Sequence, residues 1–157
     1  MPTLQALLQL LDHERRARDE ALQALSHAEG AAGQADAQAQ ALAAYRSEYV
    51  GRWSARFREP GSVALMQCYQ AFMQRLDQAI AQQGNTVALA KTRVDHARGT
   101  LQHNERRVAS MEKLIERRQQ EQQHQLARRE QARTDEIAQR AHARHVAASP
   151  DHGESRL

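Results

Sequence analysis

The stretch that decides the fold runs from Met73 to Ile115: MQRLDQAIAQQGNTVALAKTRVDHARGTLQHNERRVASMEKLI. Within it Met73, Ile80, Val87, Val94, Leu101, Val108 and Ile115 recur every seven residues without a miss. A second series, offset by three or four residues, holds Tyr69, Leu76, Gln83, Ala90, Ala97, Asn104 and Met111. These are the a and d positions of successive heptads, and a strict seven-residue repeat implies a left-handed supercoil. Gln83 and Asn104 interrupt the seam with polar groups of the kind that fix register at some cost in stability.

Working outward, Pro60-Gly61-Ser62 joins a helix stop, a residue free to turn and a good N-cap. The expectation is a single coiled-coil domain spanning 1–157. Helix one covers about 3–58, a turn 59–62, helix two about 63–145 and a frayed tail 146–157. In helix one, Leu4, Leu8, Leu11, Leu22 and Leu25 start a seam. It is expected to shift phase through Ala28, Ala32, Ala35 and Ala39, where Gly30 and Gly33 soften the helix, and to resume at Leu42. A chain folded back at Gly61 pairs residues whose numbers add to roughly 120. The seam of helix two ends at Ile115, so its partner falls near Leu4, where helix one begins. Two independent patterns thus agree on a hairpin rather than a parallel dimer. The fold expected is all-α, an elongated antiparallel two-helix coiled coil with a longer second helix.

Composition supports this reading. Aromatics are 4% of the chain, with 7 Gly and 3 Pro, so a narrow apolar stripe can be buried but a thick layered core cannot. The net charge is +3 and opposite charges interleave, as in Glu105, Arg106, Arg107, Glu112, Lys113, Glu116, Arg117 and Arg118. Interleaving of this kind marks a solvated helix face, whereas nucleic-acid binders present a one-sided basic stripe. Beyond Ile115 the sizeable apolar residues up to His145 are Leu126 and Ile137, set in Gln, Glu and Arg. Such a helix is completed by a partner or is marginal alone.

No catalytic constellation, phosphate loop or zinc motif is present in the sequence, so no enzyme activity, cofactor, metal or small-molecule substrate is expected. His142 and His145 have helical spacing, with Asp151 and His152 nearby, but no supporting shell for a metal. The single cysteine, Cys68, fits a reducing compartment and a small, partly buried packing role. A long apolar run and a signal-peptide pattern are both missing, so a cytoplasmic location is expected.

All six aromatics flank the turn: Tyr45, Tyr49, Trp53, Phe57, Tyr69 and Phe72. The first four recur every four residues while a seam advances every three and a half, so each step drifts roughly 50° from the seam. Some rings must face water. Phe72 and Ala79 occupy g positions, where charged residues are usual, and broaden the apolar stripe beside Leu76. The pairing rule brings Gln38, Leu42, Tyr45 and Tyr49 beside Phe72, Leu76, Ala79 and Gln83, and an exposed aromatic patch on a polar surface marks a protein-binding site.

In these residues, and in the order Leu42, Tyr45, Tyr49, Trp53, a Gly-containing turn, Leu65, Tyr69, Phe72, Leu76, Ala79 and Gln83, the sequence resembles the FliJ family. That family is the soluble coiled-coil component of the bacterial flagellar protein export apparatus. The resemblance implies an antiparallel coiled coil similar to the central stalk subunit of F-type ATPases, with its open ends inserted into the hexameric ring of the export ATPase. It also implies peripheral association with the inner-membrane apparatus through the cytoplasmic domain of the transmembrane export gate protein, with export chaperones as further partners. The gate surface maps onto Gln38, Leu42, Tyr45, Tyr49, Phe72, Leu76 and Ala79, and ends at Gln83, where some members carry His. The alternatives are the stalk protein of a virulence type III secretion system and a purely structural coiled-coil scaffold.

Overall fold

The computed structural model describes residues 2–58, 61 and 63–149. Two helices account for nearly all of them: α1, Leu4–Arg56, and α2, Val63–Ala148. The chain is an all-α, antiparallel two-helix coiled coil. Thr3 caps α1, its Oγ1 accepting a 3.2 Å hydrogen bond from the Ala6 amide. At the other end α2 continues slightly beyond the expected position 145, since Val146, Ala147 and Ala148 offer no reason to stop. Apart from Gly61, the expected break at Pro60-Gly61-Ser62 lies outside the described residues, as does the expected tail beyond Ser149.

Two compact units divide the chain: Asp12–Ala109, and the pair of segments Met1–Leu11 with Ser110–Leu157. In the first, α1 and α2 run antiparallel, and cross-helix contacts fix the register. Arg46 meets Asp77, Gln38 meets Gln83, Ala17 meets Asn104 and Glu14 meets Arg107. The last three pairs each add to 121, one more than the sequence rule. The α2 residues facing α1 are Tyr69, Met73, Leu76, Ile80, Gln83, Val87, Ala90, Val94, Ala97, Leu101, Asn104 and Val108, all buried or half-buried. Phe72 and Ala79 are half-buried beside them.

On α1 a seam of buried and half-buried residues steps by three and four without a break through this unit: Glu14, Arg18, Ala21, Leu25, Ala28, Ala32, Ala35, Ala39, Leu42, Arg46, Tyr49 and Trp53, with Ala17, Asp36 and Val50 half-buried at its edges. The seam of α1 therefore does not shift phase, and the expectation that it does is corrected. Leu22, expected in the seam, is exposed, and Ala21 takes its place. The reason is complementarity. At the observed register Ala21 falls level with Leu101, Ala28 with Val94 and Ala35 with Val87, so small residues on one helix accommodate large ones on the other. The polar seam residues are paired instead: Arg107 Nη2 donates to Glu14 Oε1 at 2.8 Å, and Arg46 Nε to Asp77 Oδ1 at 2.7 Å.

In the second unit Leu7, Leu11 and Ile115 are buried, with Leu4 and Met111 half-buried. Leu8 is exposed there, against the expectation that it belongs to the seam. From Gln119 to Ser149 every residue is exposed, Leu126 and Ile137 included. Helical ion pairing such as Arg140 with Glu136 at 2.8 Å decorates this stretch.

Candidate functional site, the aromatic end of the hairpin

Six rings gather where α1 ends and α2 begins, five from the two helices and one from Phe57 just beyond α1. Tyr49 is their hub: it packs on Phe72 at 4.4 Å between centroids, on Trp53 at 5.9 Å and on Tyr69 at 6.0 Å. Tyr69 also meets Trp53 at 5.6 Å and Phe57 at 5.2 Å. Tyr49, Trp53, Phe57, Tyr69 and Phe72 are all half-buried, so they cover one another. Tyr45 is the outlier. It touches Tyr49 at 6.1 Å and Phe72 at 6.5 Å, yet 49% of it remains exposed. This is the drift of a four-residue spacing against a 3.5-residue seam: at Phe57 the side chain stays with the cluster, while Tyr45, at the far end, has moved to the flank.

The residues of the expected patch are placed unequally. Tyr45 and Gln38 are exposed; Leu42, Tyr49, Phe72, Ala79 and Gln83 are half-buried; Leu76 is 6% exposed. Leu76 thus supports the surface from beneath and offers little of itself. Gln83 reaches across the seam, its Nε2 donating to the Ala35 carbonyl at 2.9 Å and to Gln38 Oε1 at 3.3 Å. Gln38, Ala41, Leu42 and Gln83 line an open groove of about 380 Å³. A polar floor flanked by apolar walls suits a partner's side chain.

Arg46 and Asp77, outside the expected patch, stand next to Tyr45 and Leu76 in sequence and tie the two helices together beside it through a solvent-exposed ion pair. Asp77 accepts the hydrogen bond and adds Coulomb attraction, which raises the Arg46 pKa above its ordinary value. The signal was available: a cation and a carboxylate that the pairing rule places nearly opposite each other. Cys68, expected to be partly buried, is exposed. Cys68 stands one residue before the seam position Tyr69, a rotation of about 100° on the helix, so its side chain is turned away from α1.

No helix among the described residues is long and apolar enough to cross a membrane. A comparison with curated proteins finds no match. The family model described as "Flagellar FliJ protein" matches residues 3–147. That match spans both helices, the aromatic end and the exposed stretch of α2, and the chain belongs to the FliJ family, a component of the flagellar export apparatus.

Proposed function

We propose that the chain is a non-enzymatic linker of the export apparatus, joining the export ATPase ring to the cytoplasmic domain of the membrane export gate and receiving export chaperones. The observation that carries this reading is Tyr45, a ring left half in water at the edge of a cluster of aromatic side chains and supported by Tyr49 and Phe72. Exposed aromatics on a rigid support are favourable contact centres because little side-chain freedom is lost when a partner covers them. The gate surface is Tyr45 with Gln38, Leu42, Tyr49, Phe72, Ala79 and Gln83, held in shape by Leu76. The ATPase end is the pair of segments that includes the exposed stretch from Gln119 to Ser149, whose polar helix leaves a partner free to choose its contacts. The chain acts in the cytoplasm in this reading, brought to the membrane by the gate.

Tyr45→Ala tests it. The substitution removes a half-exposed ring, so thermal melting should move by only a few degrees, while binding to a gate fragment should weaken by about 2 kcal/mol, or roughly thirtyfold. Val94→Ala is the control, a seam truncation that lowers the melting temperature and leaves the patch alone. Normal gate binding by Tyr45→Ala, with wild-type melting, would refute the assignment.

A further inference from the structure

The first turn of α2 holds an apolar group that the gate patch does not use. Val63, Ala64, Leu65 and Met66 are consecutive and all exposed, Val63 at 74% and Met66 at 47%. Four consecutive residues make slightly more than one turn of about 3.6 residues, so this turn is apolar on every side. A protein groove contacts one face of a helix and selects residues three and four apart. A turn that is apolar all round instead suits an isotropic apolar medium, entered end-on.

The charges around it have one dominant sign. From Val50 to Leu76 the sequence carries four arginines and a single acid, Glu59, whereas from Asp12 to Tyr49 carboxylates outnumber cations seven to four. Arg56, the last residue of α1, and Arg58 just beyond it are exposed. The Arg56 guanidinium lies 5.6 Å from the centre of the Trp53 ring. Arg52, one turn further back, pairs with Glu48 at 2.5 Å. Apolar residues in the first turn of α2, arginines with long aliphatic stems beside them, and tryptophan and tyrosine further along the helices are the kinds of side chain that settle across a bilayer interface.

We propose that this end of the hairpin docks on an anionic lipid surface, with the Val63 to Met66 turn in the headgroup–acyl boundary and Arg56 and Arg58 on the lipid phosphates. The surface is separate from the Tyr45 flank. Lipid docking and gate binding therefore answer to different substitutions.

Trp53 is the only tryptophan of the chain and stands at this end, so its fluorescence reports the event directly. The full-length protein is titrated at low salt with vesicles of phosphatidylcholine alone and with vesicles of phosphatidylcholine and phosphatidylglycerol in equal parts. Flotation is measured in parallel. The expected result is a blue shift and co-flotation with the anionic vesicles, at least about tenfold stronger than with the neutral ones and weakened by salt. The variant Val63→Glu/Met66→Glu, which alters only exposed positions, should melt as the wild type does and lose roughly tenfold or more of this binding. Arg56→Glu/Arg58→Glu should lose it by a similar factor. Absence of binding to the anionic vesicles overturns the proposal. So does unchanged vesicle binding by Val63→Glu/Met66→Glu, and if that variant instead loses the gate fragment, the turn is a protein contact.

Discussion

Glu14 occupies a seam position that a hydrophobic residue would normally fill, and it is the one buried charged residue among those described. Its carboxylate is held by Arg107 at 2.8 Å, and Arg107 keeps more than half of its side chain in water. The two partners are therefore unequal. Removing Arg107 strands a buried anion, whereas replacing Glu14 leaves a solvated arginine that loses little. Arg107→Ala should lower stability by about 1–2 kcal/mol, the lower part of the range for an orphaned buried charge, because water reaches this pair from the arginine side. Glu14→Leu should be neutral or stabilising, and urea unfolding of the two variants reads the difference directly. Asn104, which donates to the Ala17 carbonyl at 3.3 Å, behaves in the same way: Asn104→Leu should raise the unfolding midpoint while loosening the register. Asn104 and Gln83 could be read as register devices because they break a regular series. Glu14 could not, since between Leu11 and Leu22 the sequence is largely polar and does not mark which residue is buried.

The two helices differ in how openly they declare their buried faces. In α2 large residues sit at almost every seam position, so the period is visible in composition alone. In α1 the seam is carried by Ala21, Ala28, Ala35, Arg18 and Arg46 as much as by leucine, and two prominent leucines, Leu8 and Leu22, face water. Hydrophobicity is a proxy for burial, and it fails where a small residue faces a large one or where a charge faces its counter-ion. The register, by contrast, was legible, because it depends only on where the chain reverses. At the site, the ring cluster could be anticipated from spacing, but which single ring stays in water depended on packing among the others. Both helices also carry glycines that packing does not require: a methyl group placed on Gly30, Gly33, Gly84 or Gly99 meets nothing within 4 Å. Gly84→Ala and Gly99→Ala should each add about 0.5–1 kcal/mol of stability, seen as a higher unfolding midpoint with an unchanged slope. Truncation after Arg118 should leave the melting temperature of the hairpin essentially unmoved, since every described residue beyond it is exposed. In the proposed role the same truncation weakens stimulation of the export ATPase, and the loss is larger at low salt because exposed charges are screened over roughly 8 Å at physiological ionic strength.

For the molecule as a whole, a chain with 4% aromatics and no thick core still gathers all six of its rings where α1 gives way to α2. That placement has a consequence in time as well as in binding. The cross-helix contacts of the Asp12–Ala109 unit join residues ever further apart along the chain: Arg46 and Asp77 are separated by 31 positions, Ala35 and Gln83 by 48, Ala17 and Asn104 by 87, Glu14 and Arg107 by 93. Closing a short loop costs less entropy than closing a long one, and the rings give the largest return for the shortest closure. Folding should therefore begin among Tyr49, Trp53, Tyr69 and Phe72 and zip toward Glu14 and Arg107. Trp53→Ala should slow refolding, while Val108→Ala should act mainly by speeding unfolding, a contrast that a denaturant chevron of each variant resolves. Within this unit the two helices would then part first where Glu14 meets Arg107 and last at the rings, so that the aromatic cluster keeps them in register for reclosure.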